Sequence, residues 1–221
     1  HTTGLAAGAA IEDAICHALL ECIERDRYSH LVARLASGRR VDGLGVDVAN
    51  LDAEAGAIVE RMERAGSRVS VRDLGDEDGV PTVLAIVEKD GVVHRGVAAR
   101  PDANAAAGDA LLEAAQSRAT DIQGAREDLR AGEGPPHPWF THRASGGRLP
   151  RSVVGGDVAA DVRWLAGWCS RTMGSEPVAV DLSLGDGYMH AVRVVVPGAE
   201  TWADDPDRLG PRGRRWIGKR P

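Results

Sequence analysis

The 221-residue chain is 43% hydrophobic and 27% charged, enough apolar material to bury one sizeable core and a small annex as a single globular unit. Its formal net charge of -6 opposes non-specific binding to nucleic acid or anionic membranes, and no apolar run approaches the ~20 residues that span a bilayer. Three cysteines without a CxxC pair, Cys16, Cys22 and Cys169, suit a reduced cytoplasm.

The chain opens on small residues, Thr2-Thr3-Gly4-Leu5-Ala6-Ala7-Gly8, which let backbone approach a ligand closely and lead into a helix whose first N–H groups suit an anion. Their spacing matches neither a Walker loop nor a dinucleotide fingerprint. In the helix that follows, Asp13, His17, Glu21 and Glu24 fall at offsets 0, 4, 8 and 11. They line one polar stripe, apart from an apolar arc of Ile11, Ile15, Ala18, Leu19 and Cys22. Like charges at these spacings destabilise a helix, and no lysine stands in the stripe to neutralise them. Mg2+ is commonly held by one or two carboxylates completed by substrate phosphates, so the stripe reads as a magnesium-nucleotide site. A solvated acidic face is the plainer alternative.

Downstream, Val46-Asp47-Val48 predicts a short strand, and Asp52 caps a helix with Ala55, Ile58, Val59, Met62 and Ala65 at helical spacing, closed by Gly66. Val69 to Val71 and Val83 to Val87 predict strands, the second turning at Asp90-Gly91 into Val92-Val93-His94. A second good helix spans about Ala105 to Thr120 and carries Glu113, Gln116, Ser117 and Thr120 on one polar face. The Gly- and Pro-rich stretch Ala131 to Arg151 is a functional loop or a disordered one; its His137 and His142 lack the further ligands of a metal site. An amphipathic helix over Asp157 to Cys169 and strands Val178 to Leu182 and Ala191 to Val196 complete the pattern. The fold class is α/β, an α+β mixed sheet with packed helices, and no internal repeat stands out. The basic tail with Arg208, Arg212, Arg214, Arg215, Lys219 and Arg220 reads as solvated.

Three segments, taken in order, resemble the YcaO-type proteins. Thr3 to Gly8, with Asp13-Ala14-Ile15 and Leu20-Glu21-Cys22-Ile23-Glu24-Arg25-Asp26, is similar to that family's second nucleotide-binding segment. Ala110-Leu111-Leu112-Glu113-Ala114-Ala115-Gln116-Ser117-Arg118, then Gly124-Ala125-Arg126-Glu127-Asp128-Leu129, resembles its third. Val194-Val195-Val196-Pro197-Gly198 resembles the strand and turn near the end of its fold. The resemblance implies a YcaO-like fold that uses ATP and Mg2+ to phosphorylate a peptide-backbone amide oxygen, after which a nucleophile adds to the carbonyl carbon and phosphate leaves. A side-chain Cys, Ser or Thr of the peptide gives an azoline; a sulfide donor gives a thioamide. On this resemblance Asp13, Glu21 and Glu24 hold metal, and Thr3, Gly4, Glu113, Gln116, Arg118 and Arg126 hold nucleotide, with no catalytic residue assigned. A peptide or protein substrate is implied, with no nucleic acid or membrane partner, and a homodimer is left open.

Departures from the family pattern qualify that reading. Asp13 stands where Glu is usual, Ala9 where Asn is common, Asp109 where Arg is expected and Arg100 where His is expected. The family's first ATP segment, with its own Ser and Glu pair, is absent, so an N-terminal part of the nucleotide-binding region is expected to be missing. The chain lacks a Pro-x-Pro-x-Pro ending, which tilts the resemblance towards the thioamide-forming branch that works with a TfuA-like partner. Two other readings stand beside it: a divergent, non-catalytic member that binds a leader peptide or partner protein, and a structural α/β domain without a ligand.

Overall fold

The computed structural model describes residues 2–38, 41, 45–75, 79–124, 138–141, 146–153, 156–185, 189–201 and 210–217. They fall into two compact units, one of residues 1–39 with 152–221 and one of residues 40–151. His137, His142 and Arg126 lie outside the described residues.

In the first unit, β1 (Leu5–Gly8) leads into α1 (Ile11–Ala36). The helix starts where Asp13 Oδ2 accepts the Ala10 N–H at 3.2 Å, so its own third residue satisfies a donor that an anion was expected to take. β1 pairs antiparallel with β7 (His190–Val195), which pairs antiparallel with β6 (Val178–Asp181). One face of α1 buries Ala14, Ala18, Leu19, Cys22 and Ile23 against this sheet and against α5 (Val158–Met173). α5 starts on an Asp157 cap and stops at Gly174 in the left-handed region, as its sequence signals require.

The second unit runs α2 (Ala53–Arg64), β3 (Arg68–Asp73), β4 (Thr82–Lys89), β5 (Val92–Ala99) and α3 (Ala103–Gln123), with β2 (Gly45–Val46) added at the β3 edge. β2 is shorter than expected because Asp47 takes the Ala49 N–H and turns the chain into a single 3-10 turn. The β4-β5 hairpin uses Asp90 and Gly91, both at positive φ, as a two-residue turn of the right-handed sheet twist demands. Ala106, Ala107, Ala110, Leu111 and Ala114 of α3 pack on Val69, Val71, Val83, Ala85, Val87 and Ala98. The short helix α4 (Pro138–Thr141) brings Trp139 to Arg72, whose guanidinium lies 3.8 Å from the ring centroid and donates to the Trp139 carbonyl at 2.9 Å.

The two units share one plan that the sequence conceals. Each has a helix, three antiparallel strands and a second helix: α2-β3-β4-β5-α3 in the second, and α5-β6-β7 with β1-α1 in the first. The first is a circular permutation, its strand order closing on chain from both ends of the sequence. A shift of 92 positions carries Gly4 onto Gly96, the start of α1 onto the start of α3, Glu21 onto Glu113 and Glu24 onto Gln116.

The basic tail is not solvated throughout. In the first unit α6 (Pro211–Ile217) returns Arg212 to Asp26, which is 1% exposed and also accepts the Glu200 N–H at 2.7 Å. Glu200 in turn accepts the Arg212 and Gly213 N–H groups, each at 2.6 Å. Opposite charges and oriented amides make this burial tolerable, and isolated members of the set would not be stable there.

Candidate functional site

The glycine-rich opening serves its own strand pair. Gly4 has φ +77°, and a Cβ there would stand 2.1 Å from the Val194 carbonyl oxygen, so both backbone conformation and space require glycine. Its carbonyl accepts the Val194 N–H at 2.7 Å, and its N–H donates to Glu21 Oε2 at 2.9 Å. The close approach read from the sequence is therefore made to β7. Thr3 beside it is buried.

Glu21 is partnered on both oxygens, because Oε1 also meets Arg25 Nε at 3.0 Å one turn further along. Arg25 is the compensating charge that the acidic stripe requires. Asp13, Glu21 and Glu24 are half-buried and His17 is exposed. Among the described residues no three His, Cys, Asp or Glu side chains converge as a metal site.

The second unit repeats the arrangement. Gly96 admits α3 so closely that a Cβ would meet the Ala110 carbonyl at 2.2 Å and the Ala114 nitrogen at 2.4 Å. The neighbouring Val97 N–H donates to Glu113 Oε2 at 2.9 Å, as Gly4 does to Glu21. Gln116 follows one turn later, exposed, and Arg118 is half-buried. The two departures at positions 100 and 109 answer each other: Arg100 Nε meets Asp109 Oδ2 at 2.6 Å. Charges that looked misplaced singly form an ion pair, which compositional reasoning could not show.

In both units a glycine-bearing strand is tied to a helix glutamate, with a second polar residue three positions on. Residues 1–200 match the YcaO cyclodehydratase family, described as ATP- and Mg2+-binding. The chain belongs to the YcaO family. It is 36% identical over 246 aligned residues to an uncharacterized protein of Methanothermobacter thermautotrophicus, covering 98% of this chain and 60% of that protein. It is 33% identical over 137 residues to a Rhizobium leguminosarum bv. trifolii protein described as lying in the tfuA 3' region, covering 57% of this chain and 32% of that one. The structure of a YcaO from Methanopyrus kandleri bound with AMPPCP and Mg2+ aligns with a TM-score of 0.77 at 28% identity, over 95% of this chain and 58% of that chain. This YcaO chain thus spans about three fifths of the length of the Methanothermobacter and Methanopyrus relatives.

The donor chemistry fits the family's cofactors. Glu21, Glu24, Glu113 and Gln116 present hard oxygen donors at i,i+3 on each helix, the type that Mg2+ takes together with phosphate oxygens. Sequence reasoning missed the Asp26, His30, Glu200 and Arg212 set. His30 lies 3.3 Å from Glu200 Oε2 and its Nδ1 accepts the Trp216 indole N–H at 3.1 Å. Burial is the main cause holding its pKa below the ordinary value. Asp26 and His30 stand four positions apart on α1, which was the available signal.

Proposed function

We propose that this YcaO chain is part of an enzyme that uses ATP and Mg2+ to activate a backbone amide of a ribosomally made peptide or protein, leading to a thioamide or an azoline. The observation that carries the reading is the match of residues 1–200 to the ATP- and Mg2+-binding family, beside a glutamate held against a strand amide within each unit taken by itself. ATP when bound would supply the phosphoryl group that turns the amide oxygen into a leaving group. Glu24 and Asp13, with Glu21, would bind magnesium; Thr3, Gly4, Glu113, Gln116, Arg118 and Arg126 would orient the nucleotide. Positioning and charge stabilisation of this kind supply most of the catalysis in phosphoryl transfer. The Methanopyrus structure with AMPPCP and Mg2+ supports the nucleotide, and the tfuA-region relative supports the thioamide branch with a TfuA-like partner.

A second reading, a non-catalytic member that binds peptide or partner, is favoured by the internal pairing of Glu21 with Arg25 and of Arg100 with Asp109. Thermal melts of the full-length polypeptide across an ATP titration at fixed Mg2+ separate the two. The first reading expects a stabilisation that grows with the logarithm of ATP concentration and reaches about 2.7 kcal/mol at a hundredfold excess over Kd, lost in Glu24→Gln/Glu113→Gln, with ATP-dependent phosphate release. No melting shift at any ATP concentration refutes it; peptide binding retained without phosphate release favours the second.

A further inference from the structure

The two units match in plan and differ in how their central strands are covered. β4 is buried on both faces: Leu84 and Ile86, on the face away from α3, are 0% and 2% exposed. That face carries Arg72 opposite Leu84 and Arg95 opposite Ile86. Arg72 stacks on Trp139 and Arg95 lies over the Phe140 ring, so chain from outside the helix-strand module covers it. Among the described residues the equivalent face of β6-β7-β1 is open. Leu5, Val178, Val180 and Val195 are between 46% and 56% exposed. The register sets Val178 opposite Val195 and both Leu5 and Val180 opposite Arg193, giving one contiguous apolar surface around a single cation. The Arg193 Nε is shielded from solvent and makes no hydrogen bond among the described residues. Contiguous exposed apolar faces mark interaction sites.

We propose that the open face of the β6-β7-β1 sheet docks a further segment of the same polypeptide. That segment belongs to the roughly two fifths of the length of the Methanothermobacter and Methanopyrus relatives that has no counterpart in residues 1–221. It brings apolar side chains to Leu5, Val178, Val180 and Val195 around Arg193, as Trp139 and Phe140 serve the matching face of the second unit.

Hydroxyl-radical footprinting of this chain, of the full-length Methanothermobacter relative and of that relative cut back to the region matching residues 1–221 tests the proposal. Leu5, Val178, Val180 and Val195 are expected to label strongly here, their aligned positions several-fold less in the full-length relative, and strongly again after the cut. Equal labelling before and after the cut overturns the proposal. Protection in this chain alone that rises with concentration, together with a dimer in sedimentation, overturns it in favour of a second copy. As a second readout, Val180→Asp/Val195→Asp should leave the melting temperature of this chain unchanged and lower it when made at the aligned positions of the full-length relative. A fall in this chain means that the face is already packed and overturns the proposal.

Discussion

Replacing Gly96 with alanine tests how closely α3 must approach β5. The added Cβ would fall 2.2 Å from the Ala110 carbonyl oxygen and 2.4 Å from the Ala114 nitrogen. Both are backbone atoms held by the helix's own hydrogen bonds, so no side-chain rotation relieves the clash and the helix must retreat by about 1 Å. Overpacking of this kind costs roughly 1–3 kcal/mol. The same retreat stretches the 2.9 Å bond from Val97 to Glu113, worth about 1 kcal/mol. The expected loss is roughly 2–4 kcal/mol, which at a urea slope of about 2 kcal/mol per M lowers the unfolding midpoint by about 1–2 M. Gly108→Ala on the same helix is the matched control: nothing lies within 4 Å of its added Cβ, so the gain in helix propensity stabilises by about 0.5–1 kcal/mol. Urea unfolding followed by circular dichroism reads both. A Gly96→Ala midpoint at or above that of the original chain would refute the close packing that holds Glu113.

Arg212→Met should cost roughly 3–5 kcal/mol, because it strands the buried Asp26 and Glu200 carboxylates without their cation; a loss below about 1 kcal/mol in urea unfolding would show the set to be solvated. His30 has its pKa depressed in the folded chain, chiefly by burial. The unfolded chain therefore binds the proton more readily, and the stability from a neutral His30 is complete above about 6.5 and lost as pH falls below it. Urea midpoints taken down from pH 7.5 should fall more steeply than in His30→Gln, and parallel curves would remove His30 as the cause. Burial pushes the Cys22 and Cys169 thiols up to about 12, while Cys16 is only half-buried. One thiol of the native chain should therefore react with a disulfide reagent at pH 8 and three after unfolding.

Local elements were legible because their signals are local. Asp52 caps the helix that follows it, Asp90-Gly91 turns its hairpin, and the long stripe of α1 separates Glu21 and Glu24 from its apolar arc. The family was legible for the same reason, since its motifs are contiguous runs. The repeat was not, because its first copy is permuted and its strands come from opposite ends of the chain. Nor was the fate of the charges, since pairing depends on which elements fold together. Arg25 neutralises Glu21, Asp109 answers Arg100, and Arg212 returns to Asp26 across 186 positions.

Capping, turn geometry and periodicity act over a few residues, so the helices, the strands, the hairpin and the acidic stripe are legible in the chain alone. Packing brings Gly4 to Val194 and Gly96 to α3, and sets a helix glutamate on the Gly4 amide in one unit and on the Val97 amide in the other. Those contacts depend on distances of 2–3 Å between distant positions, and only packing of the whole unit sets them.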